Sequence, residues 1–223
     1  VSHELKTPLT SISGFSEVLK ERLFQNEDDA AHFGALIYKE ARRLLVLIDD
    51  ILHLGRIEER QAGETPWGRV DLSSLIRETV EFMEPVLQDR RVHVRCTLEE
   101  LVLDADAGLL KEMIVNLLDN AVKYNRPGGH VYVRLEAGEG KAHLSIRDTG
   151  IGIPEADLGR VFERFYRVDT SRARTRAVSG TGLGLAIVKH IVDLHRGTVT
   201  LESTEGVGTE FRITLPLRQG GGS

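Results

Sequence analysis

No disulfide within this chain can hold its fold, because Cys96 is its single cysteine. That usage fits a reducing compartment. A secretory signal, an apolar run of membrane-spanning length and any long internal repeat are also missing. Positive charge is in deficit: 29 Lys and Arg face 34 Asp and Glu, a net −5. That balance predicts no general attraction to nucleic acid or to an anionic membrane surface. Two familiar phosphate patterns are absent too, since neither G-x-x-x-x-G-K-S/T nor G-x-G-x-x-G occurs. The chain lacks a starting Met and closes on Gly220-Gly221-Gly222-Ser223, so it reads as a fragment of a longer protein.

What is present suits a globular protein. The 223 residues are 41% apolar and 28% charged, enough for one large domain or two modest ones. From residue 1 to about 24 the spacing predicts a helix: Leu5, Leu9, Ile12, Leu19 and Leu23 form a seam, with Ser16 in its remaining position. Pro8 should kink this helix or mark an irregularity. Asp28 or Asp29 can cap a second helix reaching Glu58. Its seam is Ile37, Ala41, Leu44, Ile48 and Ile51, widened by Leu45, Leu47 and Leu52. Two helices joined this closely form an antiparallel hairpin. One hairpin leaves both seams half exposed, so a homodimeric four-helix bundle is expected.

Residues 59–68, with Gly63 and Pro66, read as a polar linker. The expected division is a hairpin at 1–58, that linker, a second domain at 69–218 and a flexible tail at 219–223. In the second domain, Ser73 or Ser74 opens a helix to about Gln88, and another covers Gly108 to Tyr124. Val92 to Leu98 alternates as a strand, and Leu101 to Asp104 is a candidate for another. Val131 to Glu136 pairs with Ala142 to Asp148, and Thr198 to Ser203 with Glu210 to Leu215. The fold class is therefore α+β, with helices on one face of a largely antiparallel sheet.

Four stretches carry chemistry. Gly180-Thr181-Gly182-Leu183-Gly184 runs into helix formers that continue to about His195. A helix N-terminus behind such a loop offers bare N–H groups and partial positive charge to phosphate. Alone, it reads equally as a connector to a core helix. Asn116, Asn120, Lys123 and Tyr124 share a helix face, with Leu117, Leu118 and Val122 packing behind. Asparagine is a poor interior helix residue, so two of them one turn apart need a reason. Their amide oxygens can join waters around Mg²⁺, Lys123 can offset phosphate charge and Tyr124 can face a base. The other reading is a solvated face.

Asp148 ends a strand and opens Thr149-Gly150-Ile151-Gly152-Ile153-Pro154. A carboxylate accepts hydrogen bonds only, which suits an exocyclic amino group, while Gly150 and Gly152 allow close approach and Ile151 or Ile153 can line an apolar slot. A simple turn is the alternative. Phe162 to Arg167 can anchor a mobile lid whose Arg167, Arg172, Arg174 and Arg176 can reach phosphates, although loop arginines are more often merely solvated. Finally, His3 lies off the seam and should face water beside Glu4, with Thr7 one turn on. A neutral imidazole beside a carboxylate suits a nucleophile, though an isolated surface histidine has the same appearance.

In this order, the blocks resemble the transmitter core of a bacterial two-component sensor histidine kinase. The resemblance covers essentially the whole chain: His3-Glu4-x-x-Thr7-Pro8, the double-Asn helix, Asp148-x-Gly150-x-Gly152, Phe162-x-x-Phe165, Gly180-Thr181-Gly182-x-Gly184-Leu185 and Gly206-x-Gly208-Thr209-x-Phe211. No motif position departs from the pattern, but almost no helix precedes His3. The catalytic half is similar to the ATP-binding fold shared with gyrase-type ATPases and a heat-shock chaperone.

The resemblance implies an ATP- and Mg²⁺-dependent kinase that autophosphorylates at His3 and passes the group to an aspartate on a response-regulator receiver domain. Glu4 would assist proton removal, and Thr7 matches the position that orients water when the partner is dephosphorylated. Asn120, with Asn116, would hold Mg²⁺. Asp148 would read the adenine amino group, Tyr124 would contact the base and Thr209 would support that end through water. Gly180 to Gly184 would cradle phosphates, and Arg167 with Lys123 would offset charge on the transferred group. It implies a cytoplasmic fragment and leaves room for a membrane anchor elsewhere in the parent. Two rivals stand beside this reading, a degenerate kinase acting as a dimeric scaffold and a gyrase- or chaperone-like ATPase. Against the latter, the position of a water-activating Glu is occupied by Asn116, whose amide cannot act as a base.

Overall fold

A computed structural model describes residues 2–59, 67–168 and 180–218, with side chains from Glu4 onward. The His3 ring, most of the expected linker (60–66), the segment bearing Arg172, Arg174 and Arg176, and the tail 219–223 lie outside the described residues. The chain divides into two compact units between Arg56 and Ile57.

The first unit holds α1 (Ser2–Lys20) and all but the last two residues of α2 (Glu27–Glu58). α1 runs on through Pro8 and stops before the expected residue 24. Arg22 adopts φ 55°, while Arg22 N–H and Leu23 N–H donate back to Leu19 O and Val18 O at 3.2 and 2.9 Å. That left-handed cap satisfies the last carbonyls and turns the chain out of the helix. The cap of α2 is Asn26, not Asp28 or Asp29: Asn26 Oδ1 accepts Asp29 N–H at 2.8 Å. Asp29 instead serves the reverse half of the cap, accepting Gln25 N–H at 3.1 Å. Phe15 and Phe33 bring the helices together, with ring centroids 6.0 Å apart. Leu9, Leu23, Tyr38, Leu45, Val46, Ile48 and Leu52 stay exposed in the single chain. Covering one such side chain fully contributes about 1.5–3 kcal/mol.

The second unit contains a five-stranded sheet in the order β2-β4-β5-β7-β6. Its strands are β2 (His93–Leu98), β4 (His130–Gly138), β5 (Lys141–Asp148), β6 (Thr198–Thr204) and β7 (Gly208–Pro216). β2 pairs with β4 in parallel, and every other pair is antiparallel. Alternation puts Val131, Val133, Leu135, Leu144, Ile146, Phe211 and Ile213 on the buried face. Three helices pack there, α3 (Leu72–Arg90), α4 (Ala107–Lys123) and α5 (Gly184–Leu194). A separate ribbon pairs β1 (Gly68–Asp71) with β3 (Val102–Ala105). β1 is not predicted from the sequence, because Val70 is its single buried residue and so short a strand has no alternation to read.

Asp71, not Ser73 or Ser74, caps α3. Its carboxylate accepts Ser74 N–H at 3.0 Å and the Ser73 and Ser74 hydroxyls at 2.6 and 2.8 Å. Trp67 meets His195 edge-on, with ring centroids 4.7 Å apart. His195 is wholly buried; its Nδ1–H donates to Ile191 O at 2.8 Å and Nε2 accepts Asp106 N–H at 3.2 Å. Burial pushes its pKa below the usual histidine range. Asp106 in turn caps α4, accepting Gly108 and Leu109 N–H at 2.9 and 3.1 Å. One neutral imidazole thus ties the end of α5 to the start of α4.

The Ser73 hydroxyl, with the other donors, pulls the Asp71 pKa from 3.8 to about 2. A carboxyl lowered on folding stabilises fully above its unfolded pKa and loses that contribution as pH falls through the folded one. Wild type is therefore expected to lose stability between pH 3.8 and about 2 through this group. Asp71→Asn, which can still cap, should flatten that limb of the melting-temperature profile against pH.

Candidate nucleotide site

α4 presents Asn116, Asn120 and Lys123 half-buried on one face, with Tyr124 at its C-terminal cap. Leu117, Leu118 and Val122 are buried behind them, as the spacing predicts. Asn116 Nδ2 donates to Glu112 O at 3.0 Å, which leaves Oδ1 as the outward atom. A Cβ added at Gly184 would lie 2.7 Å from that oxygen, and one at Gly180 would lie 2.6 Å from Lys123 Nζ. Both ends of the glycine loop therefore meet the α4 face. Among the described residues no side chain caps α5, and its first ladder bond is Ile187 N–H to Leu183 O at 2.9 Å. Among the described residues the N–H groups of Gly184, Leu185 and Ala186 thus find no partner within the helix, which suits them to phosphate.

Thr181 Oγ1 accepts Leu183 N–H at 3.4 Å, and Gly182 O accepts Phe165 N–H at 2.9 Å. The second bond joins the Phe162 to Arg167 block to the loop. Burial lowers the Lys123 pKa; Asp119 opposes this, and the cations Arg167 and Arg90 add to it. Burial raises that of Tyr124, with Arg167 opposing. The charge of Arg167 thus reaches both groups.

At the other end, Asp148 is buried and its Oδ1 accepts Gly150 N–H at 2.8 Å and Thr209 N–H at 3.3 Å. Burial raises its pKa, against the pull of those two bonds. Ile151 N–H donates to Tyr124 O at 3.0 Å, fastening the loop to the end of α4. Gly152 has φ 68°, and a Cβ there would lie 2.0 Å from Thr204 O. Gly206 N–H donates to Ile151 O at 2.7 Å, and Arg126 Nη2 donates to Gly206 O at 2.6 Å. Ser203 Oγ accepts Ile153 N–H at 2.8 Å. The 148–153 loop is therefore clasped between α4 and the β6–β7 turn.

Asn116, Asn120, Lys123, Tyr124, Asp148, Gly150, Gly152, Ile153, Thr209 and Gly180 to Gly184 all belong to this unit. Glu4, half-buried, and Thr7, exposed, are on α1 in the other. Sequence reading missed Ser203, Arg126 and His195. The first two lie outside any motif and act across the chain. The third was one of eight histidines, and its burial is invisible without the packing around it.

Residues 105–219 match the family described as histidine kinase-, DNA gyrase B-, and HSP90-like ATPase, and the chain belongs to it. Residues 1–60 match the His Kinase A (phospho-acceptor) domain. The two together make the chain the transmitter core of a two-component sensor histidine kinase, with an ATP-binding domain. Sensor histidine kinase WalK of Bacillus subtilis (strain 168) is 37% identical over 231 residues, covering 98% of this chain and 36% of the relative. The chain thus spans about a third of that protein's length. Full-length ShkA in complex with AMPPNP superimposes with TM-score 0.71 at 29% identity, over 99% of this chain and 45% of that one. ThkA, solved in complex with the response regulator TrrA, shares the fold at TM-score 0.71 and 23% identity, over 97% of this chain and 60% of that one.

Gly152→Ala places a methyl group against the Thr204 carbonyl at a backbone angle that alanine disfavours. The loop and the β6–β7 turn must then part. Calorimetric titration with ADP should show affinity lower on the order of tenfold, about 1.4 kcal/mol. An unchanged affinity would separate this clasp from nucleotide binding.

Proposed function

We propose that this chain is an ATP-dependent protein-histidine kinase that phosphorylates His3 and passes the group to an aspartate on a response-regulator receiver domain. The observation that carries the reading is the meeting of an uncapped helix N-terminus, the Asn116 and Asn120 face and buried Asp148 in one unit. Asp148 accepts the adenine amino group beside Tyr124, and Thr209 supports that end through water. Gly180, Thr181, Gly182, Leu183 and Gly184 hold the phosphates, and Lys123 and Arg167 offset their charge. Asn120 with Asn116 offers neutral amide oxygens, which suit Mg²⁺ that keeps most of its waters. When bound, that ion would neutralise phosphate charge.

A ring nitrogen of neutral His3 gives its lone pair to the γ-phosphorus. The bond from that phosphorus to the β,γ-bridging oxygen breaks, and ADP leaves with the electron pair. Glu4 takes the proton from the other ring nitrogen. The phosphoryl group then passes to a partner carboxylate as the N–P bond breaks. Such transfers depend mainly on positioning and charge neutralisation, so the linker expected at 59–68, whose Trp67 and Gly68 pack with the second unit, would serve through its earlier residues by letting the ATP domain move. Thr7 would orient water for removal of phosphate from the partner. The exposed hairpin seams, Leu45 and Leu52 among them, support homodimerisation. The fragment is read as cytoplasmic, and any membrane anchor belongs to other parts of the parent.

Incubation with γ-labelled ATP and Mg²⁺ should yield a label on the protein that is lost in acid and stable in base, and His3→Gln should abolish it. Free phosphate released without labelled protein would instead favour a hydrolysing ATPase. Asn120→Ala should abolish labelling while light scattering still shows a dimer; normal labelling would discard the metal assignment.

A further inference from the structure

We propose that Tyr166 is a positioning residue for the terminal phosphate: its hydroxyl, hooked onto Asp157, holds a strained turn at Phe165 against the glycine loop and so fixes where Arg167 leaves the backbone. The inference rests on the reading of Arg167 as a cation for the transferred group.

The strain sits at one residue. Phe165 adopts φ 64°, a left-handed conformation that a bulky side chain disfavours. Opposite it, Gly182 has φ 76°, and a Cβ there would lie 2.8 Å from the Phe165 carbonyl carbon. Phe165 N–H donates to Gly182 O at 2.9 Å. The two backbones therefore touch with no side chain between them. Rotation about the Phe165 φ carries Tyr166 and Arg167 with it, so relaxing the strain would move both. A strained residue persists only where its surroundings over-determine it.

Tyr166 supplies that restraint. Its hydroxyl donates to Asp157 Oδ1, a bond to a charged acceptor between two half-buried side chains. The Arg160 guanidinium lies 4.2 Å from the Tyr166 ring centroid. Arg160 Nη2 also donates to Glu163 Oε2 at 3.3 Å, which keeps the cation over the ring. The foot of the hook is firm, since Asp157 N–H donates to Pro154 O at 2.9 Å, just beyond the clasped 148–153 loop. Before the turn, Phe162 meets Phe211 of β7 edge-on, with ring centroids 6.3 Å apart. Phe165 is thus held from both sides, and Arg167 follows directly after the hook. Burial lowers the Lys123 pKa and the charge of Arg167 adds to that, so this cation stands near the Asn116 to Lys123 face.

The test compares AMPPNP, which carries a third phosphate group, with ADP in calorimetric titrations with Mg²⁺. Tyr166→Phe removes the hydroxyl and keeps the ring. The AMPPNP-to-ADP affinity ratio should then fall about fivefold, with ADP affinity itself little changed. Asp157→Ala removes the same bond from the other side, should lower the ratio equally, and decides the matter if Tyr166→Phe does not fold. Asp157→Asn keeps an acceptor and should retain most of the ratio. Arg167→Ala should lower the ratio at least as far, and adding Tyr166→Phe to it should change nothing further. Equal weakening of both nucleotides in Tyr166→Phe would mark a structural brace and overturn the proposal. So would losses that multiply in the double variant. If Arg167→Ala lowers the ratio while the Tyr166 and Asp157 variants keep it, the phosphate reading of Arg167 stands and the role of Tyr166 is lost. A ratio unmoved by Arg167→Ala sinks both.

Discussion

The ATP-binding unit depends on one close approach, where the first turn of α5 lies against the polar face of α4. At Gly184 only a hydrogen separates the α5 backbone from Asn116 Oδ1, since a Cβ would sit 2.7 Å from that oxygen. Closeness there brings the start of α5 beside Asn116 Oδ1, while the other end of the glycine loop, at Gly180, lies against Lys123 Nζ. The far ends of the same helices are pinned by a different device. His195 donates to Ile191 O on α5 and accepts Asp106 N–H, and Asp106 caps α4. The contact is thus held at both ends, by absence of a side chain at one and by a fully engaged imidazole at the other. Both arrangements need burial, because exposed groups would exchange these bonds for water at little cost.

The Asp148 end of the candidate site uses the same economy. Asp148 is buried, and its hydrogen bonds come from backbone N–H groups of Gly150 and Thr209 rather than from a cation. It keeps acceptor capacity for a ligand without a paired charge that would compete for it. The loop that carries it is clasped by backbone on both sides, through Tyr124 O and the β6–β7 turn. The hairpin unit contrasts with this. Leu9, Leu23, Leu45, Ile48 and Leu52 remain exposed in one chain, the feature on which the proposed homodimer rests, whereas the ATP-binding unit closes its own core.

Much of this was legible in the sequence because periodicity and glycine spacing are local signals. The hairpin strands, the α4 face and the loop before α5 were all found that way. Helix caps were placed less well. Acidic and hydroxyl residues cluster near helix starts, and which one caps depends on backbone angles that a sequence does not show. Hence Asn26 replaced Asp28 or Asp29, and Asp71 replaced Ser73 or Ser74. β1 was missed because pairing with β3, rather than its own pattern, makes it a strand.

What the sequence by itself determined was the class of fold, the family, and which residue types suited to phosphate and purine are on offer, since these follow from short-range spacing and the order of motifs along the chain. The tertiary structure alone decided which of those residues meet. Ser203 and Thr209 face one another across a turn, Arg126 reaches Gly206, and Trp67 finds His195. Hydrogen-bond direction and proton position depend on every neighbour of a group at once, and those neighbours come from distant parts of the chain only when the core has packed.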